Sequence, residues 1–208
     1  MWVAFALGSA VFAGLVAILA KAGIGSTPSN LATAIRTVVV LVFAWAMVVV
    51  VGSQATLASI PARSLVFLVL SGLATGAAWL CYFRALQLGP VNPVVAVDRS
   101  SIVLTVVLGT ILFGEGGFSP ARLAGIAAIG VGTYLIVRWA PSRPGAKPGR
   151  GWLPYAAGSA VFASLTTILA KVGIEDVESN LATAIRTVVI VALAWAVVFA
   201  TGEQRGAR

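Results

Sequence analysis

Residues 2–54 and residues 152–204 are one sequence written twice: 32 of 53 positions match at a constant offset of 150. The unbroken run Ser29-Asn-Leu-Ala-Thr-Ala-Ile-Arg36-Thr-Val-Val39 returns as Ser179 to Val189. Self-similarity at a fixed spacing reveals architecture that local propensity misses. The content of the repeat narrows the architecture further. Of the 208 residues 60% are hydrophobic and 10% charged, with mean hydropathy +1.03, whereas a soluble domain carries roughly 25% charged residues. A hydrocarbon core about 30 Å thick takes roughly 20 apolar residues as a helix, and an unsatisfied backbone group in lipid costs several kcal/mol. Apolar runs of this length therefore cross as helices, and the expected fold is an all-α, polytopic transmembrane helix bundle.

Charge, Pro, Gly and Asn divide the chain into seven apolar segments at about 2–20, 29–51, 64–86, 92–113, 120–138, 153–171 and 179–200. Ser119-Pro120 reads as an N-cap with Pro at the first helical position, which starts the fifth span. Pro90 and Pro93 mark the start of the fourth, and Glu115, next to Gly114, serves the turn into the fifth. Residues 139–151 form a Pro-, Gly- and Lys/Arg-rich linker, so the domains expected are a complete unit at 1–138, the linker, and a partial second unit at 152–208. Five spans precede the second copy, and five is odd. The copies then enter from opposite faces, which makes a direct sequence repeat an inverted structural one of the kind found in secondary transporters. A recent duplication without mechanistic meaning stays open as the plainer reading.

A net charge of +8 would suggest nucleic acid in a soluble protein. Here the Lys and Arg residues sit singly at the ends of apolar runs, so the bilayer is the expected partner and nucleic acid is not. Counted by face, they place the linker in the cytoplasm and the N-terminus outside, in the cell (cytoplasmic) membrane. The first run has no basic flank and recurs at 152–172, so it reads as a span and not as a cleaved signal. With no His and the single Cys81, the parts for a metal site, a disulfide framework or Ser/His catalysis are missing, so neither a cofactor nor an enzyme is expected.

Ionisable side chains inside a span are the functional candidates, because each costs about 2.5–3.5 kcal/mol at the helix centre on insertion scales. Arg36 lies about two turns into the second span, and Arg186 is its repeat mate. Either guanidinium can hold an anionic or zwitterionic substrate, pair with an acid, or snorkel to its own interface as an anchor. Asp98 is the acid placed well inside a span. Adjacent helical residues point about 100° apart, so its expected partner is Arg36 or Arg84 on another helix and not the neighbouring Arg99. Shielding a carboxylate from water favours its neutral form, and a proton-exchanging carboxylate suits a proton-coupled carrier; a charge pair that fixes packing is the alternative. Trp79, deeper than the other five Trp residues, is a candidate cavity wall. Gly72-Leu-Ala-Thr-Gly76 is a GxxxG, and Gly8, Ser9 and Gly14, echoed by Gly158 and Ser159, give the first span a small face suited to close packing.

The stretch from Cys81-Tyr-Phe-Arg-Ala-Leu-Gln-Leu-Gly-Pro to Asp98, then Leu104-Thr105, Phe113-Gly-Glu115 and the Gly-rich 125–132, resembles the EamA-like family of the drug/metabolite transporter superfamily. The resemblance covers the first five spans and two of a second unit. It implies two five-helix units around a cavity lined by the first four helices of each, with single-unit members pairing as antiparallel dimers. Where that family often has Pro in the fourth helix, this chain reads Asp98-Arg-Ser-Ser-Ile102. The leading expectation is a transporter of small metabolites or drugs by alternating access, with Arg36, Arg84, Asp98, Arg186 and Trp79 around the substrate and an antiparallel homodimer as a route to complete the cavity. The alternative is a truncated, transport-incompetent membrane protein acting as an interaction or assembly subunit.

Overall fold

The computed structural model describes residues 2–23, 28–114, 119–139, 151–175 and 177–203; Glu115 and linker residues 140–150 lie outside them. Regular structure among the described residues is entirely helical. The order is α1 (Trp2–Gly23), α2 (Ser29–Val51), a short 3-10 segment (Ser53–Ser59), α3 (Ala62–Leu88), α4 (Val91–Arg99), α5 (Ser101–Phe113), α6 (Pro120–Arg138), α7 (Leu153–Ile174) and α8 (Ser179–Thr201). Taking α4 and α5 together as Val91–Phe113, seven helical stretches are long and apolar enough to cross a membrane, matching the seven expected segments.

The ends follow from local chemistry. Gly52 closes α2 at φ 79°, with its N–H returned to the carbonyls of Val48 and Val49, and its repeat mate Gly202 closes α8 at φ 70° on Val198 and Phe199. Only glycine takes this left-handed position without steric cost, so both copies stop by the same cap. Ser119 accepts the Arg122 N–H at 3.3 Å with Pro120 at the first position of α6, as the sequence predicts. The fourth span is interrupted at Ser100 without any proline. Its hydroxyl donates to the Val97 carbonyl at 2.6 Å, and its N–H reaches both Ala96 and Val97, so side chain and backbone compete for the same carbonyl. The turn tightens there, with the Val103 N–H donating to Ser100 at 2.9 Å, and the helix resumes as α5.

α2 and α8 run antiparallel. Leu31 and Ala34, early in α2, cluster with Ala194 and Val198, late in α8; at the other end Val48 clusters with Leu181 and Ala184, and Ala44 packs against them. Adding or subtracting 150 turns Leu31, Ala34, Ala194 and Val198 into Leu181, Ala184, Ala44 and Val48. Asn30 also donates to Glu203 Oε1 at 2.9 Å, tying the start of α2 to the end of α8. Near-identical helices that exchange ends in this way are related by a two-fold axis lying across them, as the odd span count requires.

α3 is the helix on which both α8 and α7 rest. A Cβ on Gly72 would lie 2.9 Å from the Arg186 carbonyl oxygen and 2.9 Å from Val189 Cβ, and one on Gly76 would lie 2.8 Å from Leu193 Cδ2. The GxxxG is thus the seat of α8. On α7, Gly173 comes down on Leu68 and Gly158 faces Cys81 Sγ. The repeat mates in α1 meet nothing: a Cβ on Gly8 or Gly23 would stand in open space, and Phe5, Val11 and Phe12 are exposed. α1 touches α3 and α4, and Lys21 Nζ donates to the carbonyls of Leu86 and Gly89 at the end of α3.

Glu178 caps α8. The backbone N–H groups of Asn180 and Leu181 hold its carboxyl below the ordinary value of 4.5, and the Leu181 N–H reaches Oε2 at 3.0 Å. A depressed folded-state value means that this stabilisation is present above about pH 4.5 and is lost as pH falls through the lower, folded value. Glu178→Gln should therefore lower the thermal midpoint at neutral pH and narrow the gap to wild type on acidification; a gap independent of pH would show that the charge contributes nothing. At the α3–α8 seat, Gly72→Ala drives a methyl into backbone and should destabilise by about 1–3 kcal/mol. Gly76→Ala meets the mobile end of Leu193 and should cost less. Thermal unfolding in mild detergent checks the order, and the reverse ranking would contradict this packing.

Candidate functional site

Between α1, α2, α3, the α4–α5 joint and α7 lies a cavity of about 520 Å³. Three helical turns of α3 supply its main wall, since Thr75, Trp79, Tyr82 and Phe83 recur at helical spacing on one face. Arg36 enters from α2. Its guanidinium lies 4.3 Å from the Trp79 ring centroid and 5.6 Å from that of Phe83, a stacking geometry worth about 0.5–2 kcal/mol depending on desolvation. Arg36 is thus held against aromatic faces at the cavity.

Asp98 lines the cavity at the end of α4, with 16% of its side chain exposed. Its Oδ1 accepts the Ser159 hydroxyl at 2.5 Å. The expected pairing of Asp98 with Arg36 or Arg84 is not what the structure places. The ion pair present is with Arg99, Nε to Oδ2 at 4.0 Å, at the limit of contact and with Arg99 61% exposed. A long guanidinium stem reaches back where the Cα–Cβ directions alone diverge. Arg84 lies away from the cavity wall and donates to Gln87 Oε1 at 2.6 Å on an exposed face. Tyr82 lines the same cavity as Asp98 and Arg36.

Arg186 approaches from α8. Its Nη2 donates to Thr75 Oγ1 at 3.0 Å, while its buried Nε makes no hydrogen bond among the described residues. Thr75 Oγ1 donates to the Ser71 carbonyl at 2.7 Å and lies 3.1 Å from Thr166 Oγ1, and Ser71 Oγ donates to the Thr166 carbonyl at 2.9 Å. A hydroxyl ladder therefore links α3 to α7 beneath the cavity. In a low-dielectric setting these groups satisfy one another and leave Arg36, Asp98 and the Thr166 and Thr167 side chains facing shared space. The arrangement can hold a small polar molecule by charge and hydrogen bonding.

Of the residues singled out from sequence, Arg36, Trp79 and Asp98 line this cavity, Arg186 reaches it through Thr75, and Arg84 does not. Ser159, Thr75, Thr166 and Tyr82 went unnoticed as site residues. A signal was available for one of them: the repeat reads Leu15-Val-Ala-Ile18 in its first copy and Leu165-Thr-Thr-Ile168 in its second, a change from aliphatic to hydroxyl inside a span.

Seven apolar helices among the described residues, two of them an inverted pair, define a multi-pass membrane protein. The chain belongs to the EamA-like transporter family, whose profile matches residues 1–138. It is similar to a protein of Sinorhizobium sp named "Uncharacterized transporter in cobO 3'region", 44% identical over 135 residues that make up 65% of this chain and 95% of that one. No solved structure matches the chain. The protein is a membrane transporter by family.

The stacking of Arg36 on Trp79 predicts a favourable coupling. A cycle of Arg36→Gln, Trp79→Leu and the double variant should give a coupling of about 0.5–2 kcal/mol in thermal stability. Additive single effects would mean that the two side chains do not interact.

Proposed function

We propose that the protein moves a small polar metabolite or drug across the cytoplasmic membrane by alternating access, using the cavity between α2, α3, α4–α5 and α7 as its binding site. The observation that carries this reading is the antiparallel pairing of α2 with its own repeat α8 beside a polar cavity. Related halves of opposite orientation can rock about a site between them, which opens it to one face and then to the other. Arg36, steadied on Trp79, and Arg186, steadied on Thr75, meet the same face of α3 one helical turn apart. That spacing suits a substrate bearing an anionic group. Asp98, hydrogen-bonded by Ser159 in the same cavity, suits either a cationic group on the same substrate or a coupled proton.

The test uses the protein reconstituted in proteoliposomes with a panel of small anionic and zwitterionic solutes and an imposed pH gradient. Asp98→Asn should abolish gradient-driven uptake while counterflow of the same solute persists, and Arg36→Gln should abolish both. Uptake unchanged by Asp98→Asn would remove that residue from coupling, and uptake unchanged by Arg36→Gln would remove the cavity from the path. Insertion of each variant is checked by its yield in the membrane fraction.

A further inference from the structure

A second cleft, of about 340 Å³, lies where α5, α6 and α7 meet, and its composition differs from that of the cavity. Its walls are aliphatic over most of their length, with Ile102, Val106, Ile126, Ile129 and Ile168. Gly109 and Gly125 also line it, and a Cβ on either would meet nothing within 4 Å, so the space between the helices is open. One end is cationic. Arg122, the third residue of α6, and Lys171, four residues from the end of α7, both line the cleft, and Lys171 Nζ sits 4.6 Å from the ring of Phe113, the last residue of α5. Three helix ends therefore gather at one membrane face around two fixed positive charges. The partial positive charge of the α6 N-terminus is offset by the partial negative charges of the α5 and α7 C-termini, so the positive field there comes from the two side chains.

We infer that this cleft binds an anionic phospholipid, with its phosphate between Arg122 and Lys171 and an acyl chain running inward along Gly109 and Gly125. Three observations single out a lipid over a soluble anion. The cations lie at helix termini, the depth at which a headgroup sits, where each Lys or Arg attracts anionic lipid by about fivefold in affinity. From Arg122 to Ile129 the cleft descends seven residues, roughly 10 Å at 1.5 Å per residue, along a wall that offers hydroxyls at Thr105, Thr110 and Thr167 and is otherwise without polar side chains. The outward side of α6 is uncovered, with Leu123 and Val131 at least half exposed, so the cleft opens where acyl chains are. Both cations also interact within the protein, and a guanidinium or ammonium has several N–H donors to share among partners.

The cleft shares Ile102, Thr105, Val106 and Thr167 with the wall of the larger cavity, but its test reads lipid retention and does not depend on transport. The full chain, extracted in mild detergent, is exposed to vesicles of phosphatidylcholine alone or phosphatidylcholine with phosphatidylglycerol, and retained lipid is read by native mass spectrometry. Phosphatidylglycerol should be retained selectively. Arg122→Gln and Lys171→Gln should each lower its retention roughly fivefold, and the charge-keeping pair Arg122→Lys and Lys171→Arg should largely preserve it. Gly109→Leu, which fills the cleft without changing charge, should also expel the lipid. Inorganic phosphate in excess should fail to displace it. Equal retention in the Gln variants, unchanged retention in Gly109→Leu, or full displacement by inorganic phosphate would each overturn the inference.

Discussion

The structure depends on how closely α8 can approach α3. In lipid no hydrophobic force drives helix against helix, so association rests on contact between surfaces and on interhelical hydrogen bonds. Gly72 and Gly76 remove the two side chains that would hold α8 away, and the contact reaches the Arg186 carbonyl itself. That approach has a chemical consequence. With α8 close to α3, Arg186 can reach Thr75, and Thr75 lies on the face that carries Trp79 and Phe83. The small residues that make the packing possible therefore also set the position of the polar groups inside it.

Polar groups at this depth are costly unless paired, and the pairings are specific. Arg36 is covered by aromatic rings, Asp98 holds the Ser159 hydroxyl at 2.5 Å, and Ser71, Thr75 and Thr166 satisfy one another across the α3–α7 contact. Ser159 and Thr166 both come from the second copy, so the site on the first unit is completed by α7. A cavity shared by two halves is sensitive to their relative position, which a cavity within one half would not be.

Much of this architecture was legible in the sequence because membrane folding offers few alternatives. Seven apolar segments, their bounding Gly and Pro residues and an odd span count lead to an inverted helix pair without any knowledge of side-chain contacts, and α2 and α8 meet in that way. The interruption at Ser100 was harder to see, since serine breaks a helix only when its hydroxyl turns back onto a carbonyl, a choice made by rotamer. The candidate site was half legible. A charge in a span announces itself, which marked Arg36, Asp98 and Arg186, but charge alone also marked Arg84, whose position near the end of α3 leaves it on an exposed face with Gln87. The pairing of Asp98 could not be read because it depends on α7, whose serine at 159 looks like one more small residue of a packing face.

The repeat also shows where the two copies have been allowed to differ. Their eleven-residue identical run holds Arg36 and Arg186, yet the two guanidinium groups end in different surroundings, one over Trp79 and the other on Thr75. The reason is geometric: both turn toward the same helix, α3, and positions 75 and 79 are one turn, about 6 Å, apart on it. Identical residues thus end in distinct surroundings because α3 meets them at different heights. The aliphatic-to-hydroxyl change from Val16 and Ala17 to Thr166 and Thr167 falls in α7, and all four positions except Ala17 line the cavity. The cavity therefore combines the aromatic rings of α3 and the cation of α2 with the hydroxyls of α7 and the carboxylate of α4. Such a site can fix the orientation of a small solute as well as its position.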